Sequence, residues 1–167
     1  APVSSNGFLV SPVARQGMCL GVTDSGGTFD PMLVRWSSQE DLTDWVETTT
    51  NTAGSIRLAN GSEIMGGLAA GNLILVWTDV ALTGLEFIGE PFIFGSRQLG
   101  TNCGLVSKHA MAEFDGRVYW MGDSNFFVWS GQVQVLPSTV KRYVFEDFNF
   151  QNRRKVYCGV NSEFGEV

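Results

Sequence analysis

Apolar residues in this chain come in short runs that are separated by glycine, aspartate, asparagine and serine. Runs that are rich in β-branched and aromatic residues and end at such turn residues predict β-strands. The sequence predicts strands at residues 13–22, 32–36, 55–58, 73–78, 84–88, 92–94, 111–114, 117–121, 126–130, 132–136 and 156–160. The pattern therefore predicts an all-β chain.

The clearest hairpins lie between residues 108 and 136. Apolar residues 118–121 and 126–129 flank the turn Gly122–Asn125, and the Ser130-Gly131 turn leads into residues 132–135. Turns of this composition join antiparallel strands. With residues 108–114 before the Asp115-Gly116 turn, four strands follow one another, which is the strand number of one β-propeller blade.

A strand-turn-strand pattern recurs along the chain. Residues 71–79 align with residues 116–124 at an offset of 45, and similar hairpins open at residues 17 and 155. A repeat of this length made of strands predicts propeller blades, here at about 1–60, 61–107 and 108–150 with an incomplete unit from 151. Because one blade cannot bury both of its faces, we expect one domain that is an incomplete propeller.

Two segments have helical spacing. In Ser38–Val46 a capping box of Ser38 and Asp41 precedes Leu42, Trp45 and Val46 on one face. Residues 140–152 place Val140, Tyr143, Val144 and Phe148 at helical spacing after cap candidates. We predict one or two short helices that connect blades.

Composition and charge limit the possible partners. Glycine, at 20 of 167 residues, fits many tight turns, and no apolar stretch is long enough to predict a membrane helix. The net charge of −6 disfavours tight nucleic-acid binding, which requires clustered cations. Arg153-Arg154-Lys155 beside Lys141-Arg142 is interpreted as a solvated face rather than a phosphate site.

Candidate catalytic and metal sites each lack a partner. Cys19, Cys103 and Cys158 are interpreted as free thiols, and His109 is the only histidine. Gly122-Asp123-Ser124 resembles a hydrolase nucleophile block, but no histidine base follows it, so a hairpin turn is predicted. We therefore predict no enzyme activity, no metal and no cofactor.

Two acidic segments keep an alternative open. Asp24–Phe29 resembles the Asp-box turn of sialidase-type propellers, a structural turn, and Asp24 with Asp30 could contribute to a calcium site. Glu40, Asp41, Asp44 and Glu47 could offer the paired carboxylates of a glycosidase. These carboxylates are interpreted as solvated residues near a helix start.

The tryptophans are candidates for the wedges between blades, where large flat side chains bury much area. A carbohydrate-stacking role for one of them is the alternative. The candidates are Trp36, Trp45, Trp77, Trp120 and Trp129.

Several strings, in their order along the chain, resemble the central part of tail and packaged-DNA-stabilisation proteins of short-tailed bacteriophages. The resemblance implies a propeller in a closed ring, a nozzle or stopper that holds packaged DNA and releases it at infection. It also implies a truncated chain, since the final string continues in that family. The strings are Val34–Ser38, Asp44–Trp45, Ala53–Leu58, Glu63–Gly67, Leu75–Asp79, Phe87–Gly89, Cys103–Leu105, Tyr119–Gly122 and Asn161–Val167.

The resemblance thus predicts a structural virion protein of the phage tail, without catalysis. Its partners would be copies of itself in a ring, neighbouring tail or adaptor proteins, and DNA that passes without tight binding. Acidic loops, with Asp123, Glu146 and Asp147 as candidates, are expected to face the channel. A carbohydrate-binding or glycoside-processing propeller is the alternative, while a peptide-binding WD-type scaffold lacks its Gly-His and Trp-Asp marks.

Overall fold

Three four-stranded antiparallel sheets follow one another along the chain, in a computed structural model that describes residues 1–167. Within each sheet the strands lie in sequence order. The first sheet contains β1 Ser5–Ser11, β2 Gln16–Thr23, β3 Phe29–Trp36 and β4 Gly54–Arg57. The middle sheet contains β5 Ile64–Ala70, β6 Leu73–Thr78, β7 Ala81–Gly89 and β8 Ile93–Thr101.

The third sheet and the two helices complete the structure. The third sheet contains β9 Met111–Phe114, β10 Arg117–Met121, β11 Phe126–Trp129 and β12 Val133–Val135. A short helix α1, Lys141–Glu146, and a 3₁₀ segment, Phe150–Lys155, follow it. The prediction of an all-β fold with blade-like four-stranded sheets and short helices is confirmed. No helix has the length and apolar character that crossing a membrane requires.

The repeat in the sequence marks the turn before the second strand of a sheet. Gly71 and Gly116 occupy this turn in the middle and third sheets, with φ of +60° and +70°. This backbone region is disfavoured for residues with a Cβ, which explains the glycine at both positions. The aligned strings after them are β6 and β10, the second strands of their sheets.

The sheets pack through two separate apolar cores. One core joins the first and middle sheets and includes Met18, Leu20, Val34, Trp36, Ile74, Val76, Leu85 and Phe94. The other joins the middle and third sheets and includes Leu75, Trp77, Leu82, Cys103, Val106, Val118, Trp120 and Phe127. Alternate residues of β6 enter different cores, because successive side chains of a strand point to opposite faces.

Strand β5 approaches both neighbouring sheets closely. A Cβ on Gly67 would lie 2.7 Å from Cδ1 of Leu20 in the first sheet. A Cβ on Gly66 would lie 3.2 Å from Cε of Met111 in the third sheet. The two glycines therefore allow the first strand of the middle sheet to approach a neighbour on each side.

The prediction of a helix at Ser38–Val46 is wrong. Ser38 forms an isolated antiparallel bridge with Asp41, and the Asp41 carboxylate accepts hydrogen bonds from the Thr43 amide and hydroxyl. Short polar side chains that bond to nearby backbone amides compete with helix formation. Trp45, predicted in this helix, instead lies in a loop that packs on the first sheet.

The strand predictions also differ from the structure in several places. A strand at 156–160 is wrong, since Tyr157 makes one isolated bridge with His109. The strand predicted at 13–22 begins at Gln16, after a turn in which Arg15 has φ of +53°. Strands β1 and β5 were not predicted, and β5 contains two glycines and two alanines, which have low strand propensity.

Candidate functional site

The first strands of the three sheets border a polar cleft, which we call the inner cleft. It consists of two adjoining cavities of about 280 and 320 Å³. Both cavities are lined by Asn6, Ile64, Met65 and Lys108. Glu63, Ser107 and Arg154 complete the first cavity, and Phe8 and His109 contribute to the second. The cleft is therefore built from β1, the start of β5, the residues before β9 and the C-terminal segment.

Two long-range hydrogen bonds hold the C-terminal segment at this cleft. The Ser107 hydroxyl donates to the Arg154 carbonyl at 3.1 Å, and the Cys158 amide donates to the His109 carbonyl at 2.8 Å. The imidazole of His109 stacks on the Tyr157 ring, with 4.4 Å between the centroids. These contacts fix the backbone that carries Arg154.

The inner cleft holds more cationic than anionic groups. The side chains of Lys108 and Arg154 form no ion pair and no hydrogen bond. Glu63 is the only carboxylate among the residues that line the two cavities. The arrangement can therefore attract an anionic group, and no cluster of metal-ligating side chains is present.

Three of the tryptophans lie between sheets. Trp36 of the first sheet contacts Phe94 of the middle sheet edge to face, with centroids 5.0 Å apart. Trp77 of the middle sheet contacts Trp120 of the third sheet in the same geometry at 5.5 Å. Edge-to-face pairs stabilise aromatic contacts beyond the burial of area.

The other two tryptophans have different environments. Trp45 is buried with Cys19 and Val22 on the first sheet, and its indole donates to the Leu42 carbonyl at 2.7 Å. Trp129 on β11 is partly buried against the core between the middle and third sheets.

The three predicted channel carboxylates lie near the end of the third sheet. Asp123 lies in the turn between β10 and β11, 4.0 Å from the Arg153 guanidinium. Glu146 accepts from Arg142 at 2.7 Å within α1, and Asp147 ends this helix. All three are exposed, and their orientation towards a channel stays a prediction.

The outer face of the first sheet carries apolar side chains and an acidic loop. Phe8 and Val10 pair with Cys19 and Gly17, and directly paired residues share a face. Residues 38–47, the acidic loop, cover part of this face through Trp45. Buried Arg35 holds the loop by donating to the Trp45 carbonyl at 2.7 Å. The loop contains Glu40, Asp41, Asp44 and Glu47 and no lysine or arginine.

The outer face of the third sheet carries apolar side chains and a basic segment. Tyr119 pairs with Val128 and Met121 with Phe126 on this face. Phe145 of α1 packs on Phe126, with 5.2 Å between the centroids. Residues 141–155, the basic segment, contain two carboxylates and five cations; Arg154 lies at the inner cleft, which leaves Lys141, Arg142, Arg153 and Lys155. The outer faces of the first and third sheets are thus both apolar and opposite in local charge.

The acidic turn at Asp24 has a structural role. Its carboxylate accepts hydrogen bonds from the amides of Gly26 and Thr28, each at 2.8 Å. Asp30 accepts from the Met32 amide and from Arg57. The Asp24 carboxylate therefore stabilises the turn between β2 and β3, and the Asp30 carboxylate connects β3 to Arg57 of β4.

The other candidate side chains have ordinary structural environments. Hydrogen bonds from Thr43 hold the pKa of Asp41 below its usual value, so this carboxyl is not a raised-pKa general acid. Gly122 donates to the Asn125 carbonyl at 2.9 Å, as the predicted hairpin turn requires. All three cysteines are free thiols, and burial raises the pKa of each.

The inner cleft was not predicted from the sequence. Arg154 was interpreted as part of a solvated basic face, and Asn6, Glu63 and Lys108 were not singled out. These residues come together only because three first strands converge. The string Ser107-Lys108-His109 is the one local signal of the cleft in the sequence, since it places polar residues just before the first strand of the third sheet.

Comparison with known proteins identifies no family. No protein-family model matches the chain, and no curated protein matches it.

Proposed function

We propose that this protein is a non-catalytic structural component of a bacteriophage tail, in which copies associate head to tail in a ring around the DNA exit channel. One observation carries the assembly part of the proposal. The outer faces of the first and third sheets are apolar, and an acidic loop covers one while a basic segment covers the other. The assignment to a phage tail is supported by the ordered strings that resemble the short-tailed phage family.

The charges favour a second copy as the occupant of each outer face. The acidic loop of one copy attracts the basic segment of the next, whereas two copies of the same face repel each other. Complementary charge of this kind steers association and excludes the wrong orientation. Such a heterologous contact produces a ring when its rotation closes.

Apolar side chains on both faces would add to the association. On the first face Val10 is 50% exposed and Leu42 is 56% exposed, and on the third face Tyr143 of α1 is 81% exposed. Exposed apolar groups beside charged ones are typical of interfaces between proteins.

A mixing experiment tests the head-to-tail contact. Val10→Lys blocks the outer face of the first sheet, and Tyr143→Asp blocks that of the third. We expect the unmodified protein to form oligomers by mass photometry, each variant alone to be monomeric, and an equimolar mixture to form a 1:1 dimer. A monomeric unmodified protein, or a mixture that stays monomeric, would contradict the proposal.

The location in a virion needs a separate measurement. Antibodies against the purified protein, followed by immunogold electron microscopy, should label the tail end of phage particles whose genome encodes this protein. Labelling of capsids alone, or of no particle while the purified protein is labelled, would contradict the tail assignment.

A further inference from the structure

The inner cleft has the composition of a small-ligand site. We propose that it binds a sugar residue that carries one carboxylate group. This inference rests on the residues of the cleft and is independent of the proposed function in a phage tail.

The unpaired cations are the first argument. The chain has 11 lysines and arginines. Five of them have no ionic or hydrogen-bonding partner, namely Arg97, Lys108, Arg117, Arg154 and Lys155. Two of these five, Lys108 and Arg154, line the same cavity. A guanidinium can bind a carboxylate through two parallel hydrogen bonds, and an ammonium adds a point charge.

The cleft is also held in place before a ligand arrives. The Ser107 hydroxyl binds the Arg154 carbonyl, while Ser107 itself is fully buried. The amide of Cys158 binds the His109 carbonyl next to Lys108. The backbones that carry both cations are therefore tied together, which lowers the entropic cost of binding.

The remaining polar groups select the type of anion. Glu63 offsets one of the two positive charges, so the cavity matches a ligand with a single negative charge. Its carboxylate can only accept hydrogen bonds, and Asn6 can both donate and accept. Hydroxyl groups beside an anionic group, as in an acidic sugar, satisfy these partners. A polyanion such as DNA would meet repulsion from Glu63 and from the net charge of −6.

Size and apolar surface agree with a sugar. The two adjoining cavities, at about 280 and 320 Å³, are at the lower end of small-ligand pockets, which range from about 300 to 1,000 Å³. Ile64 and Met65 line both cavities, and the half-buried Met65 side chain offers an apolar surface to the C–H face of a sugar ring.

The test uses sodium glucuronate as the probe and amide chemical shifts as the readout. We expect saturable shifts of Lys108, Arg154 and Asn6, and no comparable shifts with glucose at the same concentration. Arg154→Ala should weaken glucuronate binding about tenfold or more, because it removes a charged hydrogen-bond donor. Arg97→Ala, an unpaired cation on β8 outside the cleft, is the matched control and should bind as the unmodified protein does.

A second variant separates a sugar-acid site from a general anion site. Glu63→Gln removes the carboxylate that opposes a doubly charged anion, so inorganic phosphate should bind more tightly to it than to the unmodified protein. Equal binding of glucose and glucuronate, or equal loss in Arg154→Ala and Arg97→Ala, would overturn the proposal. Tighter binding of phosphate or of a DNA oligonucleotide than of glucuronate by the unmodified protein would also overturn it.

Discussion

The interfaces between sheets differ from the outer faces of the stack, although both are built from apolar strand residues. Between sheets, Trp36 meets Phe94 and Trp77 meets Trp120, and these tryptophans are almost fully buried. On the outer faces, a loop and a short helix cover the sheets only in part. Val10 and Tyr143 remain largely exposed there.

Apolar residues therefore contribute to folding at one location and to association at the other. Burial between sheets stabilises the folded chain, because the area is removed from water in every molecule. Apolar residues on the outer faces contribute little until another surface covers them. Substitutions at the two locations should therefore have different effects on unfolding and on association.

The largest effect is expected for a tryptophan between the middle and third sheets. Trp77→Ala should lower the free energy of unfolding by about 3–5 kcal/mol, as is typical when a buried aromatic side chain is removed. Tyr143→Ala on the outer face should change it by less than about 0.5 kcal/mol. Urea denaturation followed by fluorescence measures both values.

Trp77→Phe is the control for this prediction. The indole Nε1 of Trp77 has no hydrogen-bond partner, so phenylalanine removes volume without breaking a hydrogen bond. It should be less destabilising than alanine. An equal loss of unfolding free energy in Trp77→Ala and Trp77→Phe, or an equal loss in Tyr143→Ala, would contradict the distinction between interior and outer positions.

The next effect concerns a close backbone contact at the interface between the middle and third sheets. A Cβ on Gly104 would lie 2.0 Å from the Asp79 carbonyl oxygen. Gly104→Ala therefore forces the backbone to shift and should cost about 1–3 kcal/mol. Gly159→Ala, where a Cβ meets nothing within 4 Å, should leave thermal unfolding unchanged. If both variants unfold alike, the contact at Gly104 is not as close as described.

A smaller effect is expected at Asp79, whose carboxylate binds Ser62 just before the first strand of the middle sheet. Burial raises the pKa of this carboxyl, but hydrogen bonds from the Ser62 hydroxyl and from backbone amides outweigh it, so the pKa lies below its usual value. The carboxylate thus stabilises the fold at neutral pH, and this contribution is lost as the pH falls below about 4.

Asp79→Ala tests this contribution. The variant should be about 1 kcal/mol less stable at pH 7, since the half-buried group is partly exposed to solvent, which weakens its hydrogen bonds. At pH 2 the difference from the unmodified protein should shrink. A difference that is independent of pH would show that the loss comes from packing rather than from the charge.

The smallest effect is expected for two cysteine thiols, one between sheets and one near an outer face. Burial raises the pKa of Cys103 between sheets and of Cys158 near the outer face. A raised pKa means that the thiol keeps its proton in the folded state, so stability should fall as the pH rises above the ordinary thiol pKa of 9.0.

At neutral pH a thiol reagent should modify the half-buried Cys158 before Cys103, and Cys158→Ala should remove the first phase of the labelling reaction. Modification of Cys103 first would contradict the assigned burial.

The sequence predicted the sheets well because their signals are local. The hairpin at 118–129 combines apolar runs with turn residues, and Gly71 and Gly116 mark equivalent turns that need positive φ. The interior position of Trp36, Trp77 and Trp120 follows from the same strand pattern.

The elements that sequence reasoning missed depend on distant contacts. Ser38–Val46 has helical spacing, yet Arg35 and the first sheet hold Trp45 in a loop. β5 has poor strand propensity, and it forms a strand because its small residues fit between two sheets. The inner cleft likewise requires Asn6, Lys108 and Arg154 to meet from three parts of the chain, and no local spacing encodes this.

The adjacent glycines of β5 also have a consequence for the spacing of the sheets. Gly66 and Gly67 present only hydrogen atoms to the third and first sheets. A methyl group at Gly67 would lie 2.7 Å from Leu20 and 2.9 Å from Leu9, so the first and middle sheets would have to move apart. One carbon atom at this position would thus loosen a whole apolar core.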